Sequence, residues 1–368
     1  MLASRALLIL LVFVYFIVPV PVSEFIFEND FYIYSNSQTT ANTLSLVYGG
    51  IFTVWIYLLF KPTRTHLSNG AATRLVNWPG IRVAYFGMII YSVLLILYGQ
   101  QLRASGASRE DLLVGMDEFL LPGMSLLLLG SAIFAVSRAN RWQFYSLFFI
   151  FLLIDVIYNG KIFSFVALIL FFIRIDYANS TTRTIIKAFA IWAVLGVSML
   201  LLSGLTRISL AGDDLTINAI GIAYLFGSEF LGVQASIGWG LDYFSNGYPQ
   251  TFWTFGATLE EFYKSSVGHG LATSPGAFFE ANFGSGGPFI AILACGISLM
   301  MFRLSARSLG WVAYLVVAIN FQHFLRHGID VFMSKVISQM IFAVIVAKLA
   351  SQPRRAAVPP PLLSGGIR

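Results

Sequence analysis

The sequence predicts an all-α polytopic integral membrane protein with about ten transmembrane helices and one long non-cytoplasmic loop. Three observations predict it. The 368 residues are 57% hydrophobic and only 11% charged, against roughly 25% charged in ordinary soluble domains. Apolar runs recur along almost the whole length. Lys and Arg gather in the short segments between alternate runs. A closed β-barrel is excluded, because runs such as YSLFFIFLLIDVIY (145–158) and AILACGISLMMF (291–302) do not alternate apolar with polar residues.

Ten spans are expected at 5–22, 43–60, 82–99, 120–137, 142–158, 162–174, 186–203, 286–302, 309–325 and 331–348. The first run has a basic flank at Arg5 but no small-x-small cleavage site after it, so it reads as a retained span and not a signal peptide. The run 162–174 is short for a span and is expected to tilt or extend. Four regions follow: seven spans in 1–203, a long loop in 204–285, three spans in 286–350, and a disordered tail in 351–368 rich in Pro, Gly and Arg.

The charges orient the chain. With the N-terminus inside, the inner segments hold Arg5; Lys61, Arg64, Arg74 and Arg82; Arg138 and Arg141; Arg174, Arg183 and Lys187; Arg303 and Arg307; and Lys348, Arg354, Arg355 and Arg368. That is 16 of the 23 basic residues, whereas of 17 acids only Asp176 lies there. The positive-inside rule therefore puts both termini in the cytoplasm. The net charge of +6 is a topology signal and not a nucleic-acid footprint, since the basic residues sit beside spans. The single cysteine, Cys295, allows no intramolecular disulfide and no cysteine-based metal site.

Three outer segments have substance: 23–42, 100–119 and 204–285. The last contains INAIGIAYLFGSEFLGVQASIGWGLDYF (217–244), too apolar for a disordered loop. It is expected to form one or two helices lying in the interface or packed on the bundle.

Seven basic residues fall on the outer side: Arg103, Arg109, Lys161, Arg207, Lys264, Arg326 and Lys335. Arg103 and Arg109 have Glu110 and Asp111 nearby, and Lys264 follows Glu260 and Glu261. Lys161, Arg207, Arg326 and Lys335 remain as candidates for binding an anion, because ionisable groups at membrane depth are costly and default to function. Lys161 has two readings. Either it pairs with Asp155 to close a tight hairpin, or it points into a polar cavity with Asp155 orienting it. Arg207 either pairs with Asp213 or Asp214 or meets substrate. The AGDD sequence at 211–214 has no supporting ligand, so no metal is expected. Arg326, His327, Asp330 and Lys335 form the densest polar cluster, in FLRHGIDVFMSKV (324–336). Bidentate Arg is well shaped to hold a diphosphate.

Candidate bases are His269, whose ordinary pKa suits proton abstraction near neutrality, and Glu229 and Glu280. Tyr224, Trp239 and Tyr243 in the long loop are candidate ring-stacking residues, with interfacial anchoring as their alternative role. The chain has no P-loop, nucleophile elbow or zinc motif.

At TSPGAFFEANFGSGGPF (273–289), followed directly by a span, the chain resembles bacterial O-antigen polymerases, the oligosaccharide repeat-unit polymerases. The NGK turn before the sixth span, the SGLTR exit from the seventh and the late RHG turn also look like that family's recurrent basic positions. The related O-antigen ligases have a His followed by Asn near the end of the long loop, whereas Gly270 follows His269 here. The resemblance spans the architecture from about 140 to 348 and implies a GT-C-like membrane glycosyltransferase. It further implies transfer between two undecaprenyl-diphosphate-linked oligosaccharides at the periplasmic face of the bacterial inner membrane, with no cofactor or metal. A chain-length-regulating co-polymerase would be the protein partner. A diphosphate leaving group already carries the activation, so such an enzyme needs cations, a base and positioning. The rival expectations are a flippase for the same lipid-linked substrate and a membrane acyltransferase seeded on His323 or His327.

Overall fold

The computed structural model describes residues 2–27, 35–61, 70–107, 109–119, 121–158, 160–178, 180–194, 219–250, 252, 258–259, 261–263 and 273–350. Among these residues the secondary structure is helical, without a strand. In chain order the helices are α1 Leu2–Phe16, α2 Pro19–Phe27, α3 Gln38–Leu59, α4 Gly70–Asn77, α5 Pro79–Ala104, α6 Arg109–Glu118, α7 Leu121–Ser137 and α8 Arg141–Tyr158. They continue with α9 Ile162–Tyr177, α10 over 182–194, α11 Ala219–Ser245, α12 Pro275–Phe283, α13 Gly287–Leu309, α14 Trp311–Ile319, α15 Phe321–Arg326 and α16 Ile329–Leu349.

Among the described residues, six stretches are long and apolar enough to cross a membrane: Leu2–Ser23, Gln38–Leu59, Pro79–Ala104, Arg141–Tyr158, Pro275–Leu309 and Ile329–Leu349. The other expected spans differ for local reasons. Helices α7 and α9 have 17 and 16 residues. The run 186–203 is described only as far as 194, and the run 309–325 is interrupted. Its break comes at Asn320, between α14 and α15. The Asn320 amide donates to the Val316 carbonyl and to Gln339 of α16, both at 2.8 Å, and Gln339 in turn donates to Ser125 of α7 at 2.6 Å. The kink is thus tied by side chains to two other helices, which satisfies polar groups that lipid would not.

Helix ends are set by local chemistry. Asn140 and Gln143 form a reciprocal cap at the start of α8: Gln143 N donates to Asn140 Oδ1 (2.8 Å) and Asn140 N to Gln143 Oε1 (3.0 Å). Proline opens α5 and α12, where its missing N–H costs nothing. Two caps come from distant residues. Asp176, at the end of α9, accepts from Ala3 N, Ser4 N (both 2.9 Å) and Ser4 Oγ (2.5 Å), and so covers the start of α1. Arg174 donates to the Ala135 and Ala139 carbonyls at the end of α7 (2.6 and 2.8 Å).

Packing divides into two groups. Helices α5, α7, α8 and α9 pack together, and α1, α2, α3, α11, α12 and α13 pack together. Helix α14 lies between them with every residue buried, touching α7, α9, α13 and α16. The apolar segment 217–244 is described from 219 onward, where it forms a single helix, α11, whose residues 231–240 are all buried against α1, α2, α3 and α12. Phe52 and Trp55 of α3 meet Phe324 of α15 at ring distances of 4.9 and 5.1 Å.

Candidate functional site

Two chain segments far apart in sequence meet at one end of the bundle. Thr273 and His327 form an isolated parallel bridge. The residues that follow them, Ser274 and Gly328, are the caps from which α12 and α16 begin. Two helix starts therefore lie side by side, each presenting the positive end of its peptide dipoles. Ser274 is well fixed: its Oγ accepts from Ala277 N at 3.1 Å, and its own N–H donates to Ser236 Oγ of α11 at 3.1 Å. Gly328 adopts φ +92°, and a Cβ there would fall 2.6 Å from Asp330 Oδ1. The positive φ favours glycine here, and any side chain would also displace the Asp330 carboxylate.

Around this junction stand Arg326, His327 and Lys335, all half-buried, with His323 one helical turn before His327. The two imidazoles lie 5.1 Å apart, and the Lys335 charge acts on both of them. Burial first, then the Arg326 and Lys335 charges, pushes His327 in the turn before α16 down to about 3. His327 is therefore a neutral hydrogen-bonding group at physiological pH, and Arg326 and Lys335 are the cations. Paired helix starts with an arginine and a lysine make an anion-binding arrangement, offset in part by the Asp330 carboxylate in the first turn of α16.

A second polar centre lies deeper. Glu280 of α12 is fully buried; the Tyr48 phenol of α3 donates to its Oε1 at 2.5 Å, while Oε2 has no hydrogen-bond partner among the described residues. Tyr48 is held between the rings of Phe52 and Phe279. A Cβ at Gly287 would lie 2.6 Å from Tyr48 Oη and 2.7 Å from Glu280 Oε1, so only glycine lets α13 begin beside this pair. Close by in the chain, the Gln234 amide of α11 donates to Asn42 Oδ1, which also accepts from Gln38 Nε2 (3.0 Å) and Ser23 Oγ (3.1 Å). Sequence reasoning singled out Glu280 but not Tyr48, Asn42 or Gln234. The available signal was Gln38 and Asn42, two amides one turn apart at the head of an apolar run.

Lys161 lies at the separate α8–α9 turn. Its neighbour Asp155 is buried, and the two carboxylate oxygens accept from Phe163 N (3.2 Å) and Ser164 N (2.5 Å). Asp155 is therefore a cap for α9, with the Lys161 charge nearby. Trp239 and Tyr243 are buried in an aromatic cluster with Phe262 and Tyr263. The half-exposed ring of that cluster belongs to Tyr248, stacked on Tyr243 at 4.9 Å. Arg207, Lys264, His269, Asp213 and Asp214 lie outside the described residues, as do the side chains of Tyr224 and Glu229 on α11. Arg103, at the end of α5, donates to the Val156 carbonyl of α8 at 2.9 Å.

The described helices and their apolar lengths define the class as an all-helical, membrane-embedded protein. Within that class, no family model, curated protein or solved structure matches the chain.

Proposed function

We propose that this chain is a metal-independent membrane glycosyltransferase that polymerises undecaprenyl-diphosphate-linked oligosaccharides at the periplasmic face of a bacterial inner membrane. One observation carries the reading: the starts of α12 and α16 are paired through Thr273 and His327, with Arg326 and Lys335 beside them. The motif TSPGAFFEANFGSGGPF and the RHG turn, which underlie the resemblance to O-antigen polymerases, are the two segments that meet here. A diphosphate offers several anionic oxygens to such a junction, and its departure from a sugar develops charge that fixed cations stabilise. In this reading Arg326 and Lys335, with Arg207, hold the diphosphate, Lys161 at the separate α8–α9 turn stands outside that clamp, and His269, Glu229 or Glu280 takes the acceptor hydroxyl proton. Tyr248, the open ring of the aromatic cluster after α11, presents its face to the glycan, with Trp239 and Tyr243 packed behind it. Ten spans with both termini in the cytoplasm place the junction outside, in accord with the distribution of basic residues. A chain-length-regulating co-polymerase is the protein partner this reading implies.

The deciding experiment is reconstitution of the purified protein in liposomes with lipid-linked repeat units, followed by separation of products by length. A ladder of polymers is the expected result. A second reading, transbilayer movement of the same substrate, draws on the helix interruptions at Gly284–Gly286 and at Asn320, since transporters bind at broken helices. Labelled substrate that changes leaflet without lengthening would favour that reading and defeat the polymerase.

A further inference from the structure

At the opposite end of the bundle, a cavity of about 170 Å³ opens between α8 and α9, lined in part by Arg141, Phe144, Tyr145, Phe171, Arg174 and Ser180. We propose that this cavity binds the phosphate of an anionic phospholipid headgroup. The inference is independent of the polymerase reading.

Four features support it. Two guanidiniums share one small cavity, close enough to repel each other. Arg174 is anchored, with its donors on the Ala135 and Ala139 carbonyls and its guanidinium 4.7 Å over the Phe144 ring. Arg141 is exposed and makes no hydrogen bond or ion pair among the described residues. It is the first residue of α8, where the helix dipole adds further positive potential. The acid nearest in sequence to Arg174, Asp176, directs its oxygens to Ala3 and Ser4. A site with two like charges and an uncommitted guanidinium is complementary to an anion.

The position selects a lipid. Trp142, Tyr145, Phe149, Leu153 and Val156 recur at helical spacing along α8 and are 82, 53, 67, 38 and 53% exposed. An apolar stripe left open along a spanning helix faces acyl chains, and its aromatic end marks the headgroup level. The cavity lies beside that aromatic end, where a basic pocket between helices meets headgroup phosphates.

The test uses purified full-length protein in detergent, following its unfolding midpoint while phosphatidylglycerol, phosphatidylethanolamine or inorganic phosphate is added. Phosphatidylglycerol should raise the midpoint saturably and phosphatidylethanolamine should not. Arg141→Gln should raise the half-saturating concentration about fivefold, as expected for one basic residue at an anionic surface. Arg303→Gln, an exposed basic residue on α13, should leave it unchanged. A saturable rise with inorganic phosphate, weakened likewise by Arg141→Gln, supports the site and assigns it to a soluble phosphate. The proposal is overturned if phosphatidylethanolamine acts as well as phosphatidylglycerol, if Arg141→Gln titrates like the wild type, or if Arg303→Gln weakens binding equally.

Discussion

At the end of the bundle that holds Asp176, most basic side chains are exposed: Lys61, Arg74, Arg82, Arg141, Arg183, Lys187, Arg303 and Arg307 all reach solvent or headgroups. At the other end the described basic side chains are Arg103, Lys161, Arg326 and Lys335, and the last three are half-buried among polar groups. The difference separates two uses of a cation. An exposed one is cheaply solvated and mainly records which way the chain faces. A half-buried one has lost part of its hydration and needs compensation from a partner or a ligand. The helix-start junction at Thr273 and His327 belongs to the second kind.

The sharpest way to break this comparison is to remove one cation from each end. Arg326→Ala should lower polymer formation in the reconstituted system by at least ~100-fold, the scale for losing a charge-stabilising donor. Arg303→Ala should leave it unchanged, and both variants should insert and melt normally. Equal losses from the two would show that general charge, and not the junction, matters. Next in size is Glu280→Gln, which keeps an oxygen for the Tyr48 phenol but cannot take up a proton. If Glu280 is the base, turnover should fall about 100-fold with the unfolding midpoint within a degree or so of wild type. Turnover near wild type would hand the role to His269 or Glu229.

Much of the fold was legible because membranes enforce simple rules. Run length located the six long stretches. Asp176 stood out in the sequence as the lone acid among inner-side cations, and its place over the Ala3 and Ser4 amides explains why it is there. The interior of the candidate site was far less legible. Tyr48 and Glu280 are 232 positions apart, and nothing in either segment announces the other. The sequence reading starts the eighth span at 286, whereas helical backbone begins at Pro275. Ser274, Glu280 and Asn282 interrupt the apolar run, and each is satisfied, at least in part, by bonds that hydropathy does not register. The same holds for Asn320, whose partner Gln339 turns a uniform apolar run into two helices.

The two ends also each use an aspartate to start a helix, and their burial differs. Asp155 is 2% exposed and holds the first amides of α9, whereas Asp176 is half-buried over α1. Asp155→Ala should cost about 3 kcal/mol, because it strands two backbone donors away from water. Asp176→Ala should cost about 1 kcal/mol, the usual value of a lost cap where water can replace it. Chemical denaturation in a fixed detergent measures both. Equal losses would mean that water reaches the α8–α9 turn.

The arginines that close helix ends make the last pair, and the smallest single effect is among them. Arg174 serves two carbonyls of the α7 terminus and covers the Phe144 ring, so Arg174→Gln loses charge-assisted bonds and a cation–aromatic contact in a partly buried place. That should cost about 2 kcal/mol. Arg103 is exposed and, among the described residues, serves the Val156 carbonyl alone. Arg103→Gln should therefore cost no more than ~0.5 kcal/mol, with water taking over the carbonyl. Its loss should also shrink with added salt, since an exposed charge at a helix end is screened. A salt-insensitive loss above about 1 kcal/mol would show that Arg103 acts as a fixed strut between α5 and α8. It would then join Arg326 and Lys335 among the cations that this end of the bundle holds in fixed positions.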